Sequence, residues 1–219
     1  MYDRVRESYD RVAQRYADEF GGELAGKPLD RALLTCLSEL VRGLDESPGT
    51  VGDLGCGPGH VAAYLAGLGT ATVAVDLSPA MIEVGRASHP GVQFRVGSLL
   101  ALPITDGELS GAVAFYSIIH LRAEDRPISY AEMARVIRPG GWLLVAFHVS
   151  FAGGEPGWTM HADQWWGERV DLDFHYLDPA EVAAGLTAAG FEVMARTNRQ
   201  PWPGVEHESQ RCYLLCRRA

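Results

Sequence analysis

The spacing of apolar and polar positions changes character twice along the chain. Over residues 1–20 the phrase Tyr2-Asp-Arg-Val5 returns as Tyr9-Asp-Arg-Val12, and Tyr16 follows seven residues later. Seven residues is close to two helical turns, so this spacing predicts an amphipathic leading helix with the three tyrosines near one face. Gly21, Gly22, Gly26 and Pro28 break it, and Leu29 to Leu44 resumes helical spacing before a turn at Ser47-Pro-Gly49.

From Thr50 onward, short and nearly continuous apolar runs alternate with helical stretches. The strands expected are Thr50–Leu54, Ala71–Asp76, Val92–Val96, Gly111–Ile119 and Trp142–Val149. The helices between them are His60–Leu68, Pro79–Ser88, with Ser78 as its cap and Pro79 at its first position, and Arg126–Ile137, which Pro139-Gly140-Gly141 closes. A last helix, Pro179–Ala189 with Gly190 after it, precedes two final strands, Phe191–Thr197 and Arg211–Cys216. Apolar strands without alternation are buried on both faces, so the pattern predicts an α/β fold with a mostly parallel sheet covered by helices on each side. Ser150 to Asp178 has the least regular pattern and the most aromatics, Trp158, Trp165, Trp166, Phe174 and Tyr176, with His161 and His175.

At 219 residues the chain has room for one such domain, taken as 1–219, with 1–45 as a helical lid and 150–178 as an inserted cover. A net charge of −9 with dispersed basic residues argues against a nucleic-acid partner, which clustered Lys and Arg would meet. No apolar stretch approaches a membrane span, the N-terminus is charged, and the four cysteines form no C-x-x-C pair or disulfide-like framework. A cytoplasmic setting without membrane contact is the expectation, and the residues leave the oligomeric state open.

The chemistry centres on Val51-Gly-Asp-Leu-Gly-Cys-Gly-Pro-Gly-His60 and the later Thr72-Val-Ala-Val-Asp76. A glycine-rich strand-to-helix turn followed by an acid at the end of the next strand describes a nucleoside site, the acid offering two acceptors to a ribose diol. A dinucleotide fingerprint reads G-x-G-x-x-G, but here the third glycine comes one place early, at Gly59, and His60 follows. Asp53 also puts a negative charge at the turn, which repels a phosphate and suits an ammonium. This D-x-G-x-G-x-G arrangement with its downstream acid resembles the class I S-adenosylmethionine-dependent methyltransferases, across essentially the whole chain.

The resemblance implies a doubly wound, Rossmann-like domain of seven strands whose last strand is inserted antiparallel. It implies S-adenosylmethionine as cofactor, S-adenosylhomocysteine as product, Gly55, Gly57 and Gly59 close against the cofactor, and Asp53 at the same turn. Asp76 is then expected on the ribose, Leu77 and Met81 beside adenine, the Ser98-Leu99 backbone at the adenine edge, and Tyr116 near the end of the fourth strand. The leading helix packs on the domain through an apolar stripe of Val5, Val12 and the tyrosines, or, by resemblance to relatives that begin with a similar Tyr-Asp-x-Val-Ala-x-x-Tyr phrase, closes over the cofactor with Tyr9 or Tyr16 at its methionine end. Tyr16 is the residue favoured for that contact. Ser98 departs from the acidic or amide residue usual there and weakens the expected grip on the adenine amino group.

His120, at the end of the fourth strand, is the expected catalytic residue, because an imidazole can take a proton from a hydroxyl or amine that becomes a nucleophile. The alternative is a histidine that only shapes the pocket while alignment supplies the rate. The aromatic cover predicts an apolar or aromatic acceptor held by Trp158, Trp165 and His175. Asp171, Asp173 and His175 alternate as one polar strand face, and no metal is expected there. The reaction expected is methyl transfer to oxygen or nitrogen of a small acceptor. Carbon methylation of a phenolic or quinone precursor, cofactor binding without catalysis, and a nicotinamide oxidoreductase are the alternatives.

Overall fold

The computed structural model describes residues 2–44, 49–151 and 154–219; Ser47 and Pro48 of the expected turn lie outside them. Helix α1 (Asp3–Phe20) leads through a 3₁₀ turn (Glu23–Gly26) into α2 (Pro28–Arg42). There follow β1 (Thr50–Leu54), α3 (His60–Gly67), β2 (Ala71–Asp76), α4 (Pro79–Ser88), β3 (Gln93–Val96), β4 (Leu109–Phe115), α5 (Arg126–Val136) and β5 (Ile137–Phe151). The chain ends with β6 (Thr159–Trp165), β7 (Glu168–His175), α6 (Pro179–Ala188), β8 (Phe191–Arg199) and β9 (Ser209–Arg218).

Seven strands form one sheet in the order β3-β2-β1-β4-β5-β9-β8. Strands β1 to β5 run parallel, and β9 enters antiparallel between β5 and β8. The strand order reverses between β1 and β4, the place where an open α/β sheet leaves a crevice beyond its carboxyl ends. Burial on both faces explains the unbroken apolar runs. Leu54, Val73, Ala112, Val145 and Leu214 pack one face, while Val51, Val113 and Leu144 meet Leu34 and Leu37 of α2 on the other.

The main departures from expectation are at the fourth and fifth strands and in the stretch after them. The fourth strand stops at Phe115 because Tyr116 takes φ +55, a conformation that cannot continue a strand, and Ile118–His120 then turns as a short 3₁₀ segment. The fifth strand starts at Ile137, already paired with Leu109, and Gly140 at φ +78 lies in the irregular register before Trp142. The stretch expected to be irregular contains the hairpin β6–β7, closed at Trp166-Gly167, both with positive φ (52° and 86°). A tryptophan occupies a turn position that asparagine or glycine usually fills, which hid the hairpin. On β7, Val170 and Leu172 pack on Val5 and Val12 of α1.

Helix α1 ties this hairpin to the rest of the domain. Arg4 reaches Asp171 at 3.1 Å and Asp173 at 2.5 Å, and the Ser8 hydroxyl accepts from the Asp171 amide at 2.8 Å. At its other side Asp10 accepts from the Ser78 hydroxyl (2.6 Å) and the Ala80 amide (3.2 Å) at the start of α4. The two carboxylates that alternate along β7 are therefore bridged by a guanidinium.

Candidate active site

A cleft opens beyond the carboxyl ends of β1 to β4 and is roofed by α1; Tyr2, Val5, Tyr9 and Tyr16 line it together with Asp53, Gly55, Gly57, Asp76 and His120. The three tyrosines of the seven-residue repeat thus share a face, as their spacing requires. Leu77, Met81, Ser98, Leu99 and Tyr116 also line the cleft.

The glycines of the turn have different reasons to be glycine. A Cβ on Gly55 would fall 2.2 Å from the Ser117 Cβ, and one on Gly59 would fall 2.5 Å from the Phe94 ring, so both are fixed by packing within the protein. Gly59 is not among the residues that line the cleft. Gly57, at φ +52, has only the Tyr16 ring within reach, 3.7 Å from where its Cβ would stand, and leaves the backbone open to the cleft.

Both acids hold the turn. Asp76 accepts from the Gly57 amide at 2.8 Å and the Ser78 amide at 2.9 Å. Asp53, only 2 % exposed, accepts from the Ala62 amide at 3.0 Å in the first turn of α3. Burial pushes the Asp76 carboxyl up and takes Asp53 to about 7. Capping and a place in the cleft are therefore combined in the same side chains. Among the described residues four carboxyl groups, Glu23, Asp30, Asp53 and Asp76, line the cleft and no Lys or Arg does. Lys27 pairs with Glu23 (2.6 Å) and Arg199 with Asp30 (3.1 Å), whereas Asp53 and Asp76 form no such ion pair among the described residues. Such a lining suits a cationic ligand with a ribose and opposes a pyrophosphate.

His120 carries the second half of the site. Its Nδ1 lies 2.9 Å from the Asp173 carbonyl oxygen, which can only accept, so Nδ1 bears the proton. Nε2 is then a lone-pair acceptor, and the Tyr9 hydroxyl donates to it at 2.8 Å. Burial lowers His120 to about 4 and raises Tyr9 well above its ordinary value, so both are neutral near pH 7. The Tyr116 hydroxyl lies 3.1 Å from that of Tyr213, and its ring stacks on His148.

The aromatic candidates on the cover sit elsewhere. Trp165 packs edge-on against Tyr9 and Tyr16 and so backs the cleft without lining it. Trp158 is half exposed beside Tyr176, and His175 lies in a separate pocket with Arg122 and Arg126. Sequence reasoning missed Tyr2, Glu23 and His60 as cleft residues and the Asp173 carbonyl as the partner of His120. The tyrosine repeat held the signal for Tyr2, but nothing local announced a carbonyl 53 residues away from His120.

Residues 51–141 match the model of a methyltransferase domain family. The chain carries a class I methyltransferase domain. Over 156 residues it is 26% identical to a malonyl-[acyl-carrier protein] O-methyltransferase of Serratia marcescens, covering 70% of this chain and 58% of that protein. It is 32% identical over 145 residues to a probable S-adenosylmethionine-dependent methyltransferase of Mycolicibacterium smegmatis, covering 64% of this chain and 51% of that one. The chain thus spans about half the length of these curated relatives. The fold is that of an S-adenosylmethionine-dependent methyltransferase from Methanosarcina mazei, with a TM-score of 0.70 at 16% identity over 81% of this chain and 96% of that one. The seven-stranded sheet with its inserted antiparallel strand is the fold of that class I S-adenosylmethionine-dependent methyltransferase. No helix among the described residues is long and apolar enough to cross a membrane.

Proposed function

We propose that the protein transfers the methyl group of S-adenosylmethionine to an oxygen or nitrogen atom of a small, partly apolar or aromatic acceptor. The observation that carries this reading is the His120 Nε2 lone pair, fixed by the Asp173 carbonyl on the opposite ring nitrogen and facing a hydroxyl in the same cleft as the glycine turn and Asp76. The acidic lining supports the cofactor, because the molecule carries a sulfonium, an ammonium and no phosphate. Asp76 and the open backbone at Gly57 would hold its nucleoside, with Leu77, Met81, Ser98 and Leu99 at the adenine end.

Bound there, the cofactor supplies a methyl group made electrophilic by a positively charged sulfur, and that charge is lost when the methyl leaves. A proton received at His120 Nε2 in the same step leaves the net charge of the cleft unchanged, which offsets part of the burial that holds the imidazole near 4. Tyr9 now occupies Nε2 as a donor, so the acceptor's O–H or N–H takes the place of the Tyr9 hydroxyl. A seat that must be filled by a hydrogen-bond donor favours alcohols, phenols and amines, and the Serratia relative is itself named an O-methyltransferase. The apolar walls from Val5, Leu24 and Leu121 favour an acceptor with an apolar body.

Calorimetric titration with S-adenosylmethionine, S-adenosylhomocysteine and NADH, followed by a methyl-transfer screen over phenols, alcohols and amines, tests the reading. Binding of the first two alone and turnover of a hydroxyl or amine acceptor is expected. Binding of NADH alone would overturn the cofactor, and cofactor binding without turnover across the screen would make the protein a binding module on this scaffold.

A further inference from the structure

His60 stands at the first position of α3, lines the cleft, and has a side chain only 9 % exposed. Its Nε2 lies 3.1 Å from a Glu23 carboxylate oxygen, which accepts, so that nitrogen is spoken for. Its Nδ1 is buried and has no hydrogen-bond partner among the described residues. A buried polar atom without a partner is costly, and one that lines a ligand cleft has a reason to be there when the ligand completes it. Glu23 is held down at about 2 by His60 and by the buried Lys27, so an anion backs the imidazole ring.

The cofactor reading leaves one group of that molecule without an evident partner. S-adenosylmethionine carries a carboxylate, and the cleft offers it four acids and no Lys or Arg. Beside the glycine turn, His60 is the side chain able to present an N–H to it. We infer that His60 holds the amino-acid carboxylate of the cofactor through Nδ1, with Glu23 accepting from Nε2 and fixing the ring. This rests on S-adenosylmethionine being the cofactor. It makes His60 a binding residue at the opposite end of the cleft's chemistry from His120, and gives the histidine after the third glycine a use that the glycine motif alone does not state.

The test compares S-adenosylmethionine with decarboxylated S-adenosylmethionine, which keeps the sulfonium and the ammonium and lacks only the carboxylate. By calorimetry the unmutated protein should prefer the former. His60→Leu should weaken S-adenosylmethionine about 10- to 100-fold, the range for losing one buried charge-assisted hydrogen bond, and leave the decarboxylated compound unchanged. His60→Asn, which keeps a polar atom close to the Nδ1 position, should recover part of the loss. An undiminished preference in His60→Leu would overturn the inference. So would equal weakening of both ligands, which would place His60 in the architecture of the turn or at the ammonium. If the unmutated protein binds neither compound, the cofactor reading falls and this inference falls with it.

Discussion

The two ends of the cleft are built in different ways. On the proposed reading the nucleoside end comes from consecutive segments: Gly55 to Gly57 after β1, Asp76 at the end of β2, and Ser98-Leu99 after β3. The proposed acceptor end is assembled across the chain, with Tyr9 from α1, His120 from the 3₁₀ turn and the Asp173 carbonyl from β7, separated by 111 and 53 residues. A cofactor shared by many enzymes is met by a local motif on rigid strand ends, whereas the acceptor is met by elements that can vary without disturbing the sheet. If that division holds, substitutions at the first end should act on cofactor affinity and those at the second on turnover.

The largest effect is expected at Asp76. Asp76→Ala removes two acceptor oxygens from the ribose position and also frees the Gly57 and Ser78 amides, so cofactor affinity should fall by roughly 10²- to 10⁴-fold in a calorimetric titration. Retained affinity would confine Asp76 to capping the turn and break the division at its first end.

His120→Ala should leave cofactor affinity intact and lower turnover by roughly 10²-fold. The same residue shapes stability. Its folded value of about 4 lies below the 6.5 of an unfolded histidine, so between these values the unfolded chain binds a proton that the folded protein refuses. Stability should fall as pH drops from about 6.5 to about 4, and His120→Asn should remove that part of the slope in thermal melts. Unchanged turnover in the alanine variant would reduce His120 to a wall of the pocket.

Asp53 has the opposite sign. Its folded value of about 7 lies above the 3.8 of a free aspartate, so stability is lost as pH rises from about 4 to about 7 and the carboxylate forms in a buried place. Asp53→Asn retains an acceptor for the Ala62 amide and should raise the melting temperature at pH 8, by at most about 4 kcal/mol of stability. It should also weaken S-adenosylmethionine by a few fold, because a negative charge near the cationic ligand is lost. A variant that gains stability and binds the cofactor equally well would remove Asp53 from the ligand's surroundings.

What could be read from the sequence follows the same division. The strands from Thr50 to Asp76 were legible to the residue because continuous apolar runs end at glycine and acid punctuation. The residues proposed for the nucleoside came with them, since a motif is local. Tyr116 ends β4 early through a backbone conformation that tyrosine rarely takes, and the Trp166-Gly167 turn conceals a hairpin behind an unusual turn residue. The partner of His120 is a main-chain carbonyl, which no side-chain pattern records. His60 was visible as a departure from a dinucleotide motif, but its free Nδ1 is a fact of burial and of Glu23 arriving from 37 residues away.

Tyr9→Phe sharpens the comparison at smaller scale. It removes the donor now on Nε2 while keeping the ring against Trp165 and Tyr16. An acceptor that displaces the Tyr9 hydroxyl should bind the variant somewhat better, with KM for the acceptor lowered about 2- to 10-fold and kcat little changed, since a competing hydrogen bond is gone. A fall in kcat with KM constant would instead make the hydroxyl part of the reaction.

The smallest effect tests whether the acceptor end depends on its distant support. Arg4 is half exposed and binds Asp171 and Asp173, the second of which supplies the carbonyl that fixes the His120 tautomer. Exposed ion pairs contribute at most about 1 kcal/mol, so Arg4→Met should scarcely change the melting temperature. It should nevertheless lower kcat by about 2- to 3-fold, because a less constrained Asp173 orients the imidazole less well, while cofactor affinity stays constant. Salt discriminates this from a general loosening of the fold. Screening weakens an exposed guanidinium–carboxylate contact, so raising ionic strength should slow the unmutated protein toward the rate of the variant and leave the variant itself unaffected. Equal salt dependence in both would detach Arg4 from the chemistry at His120.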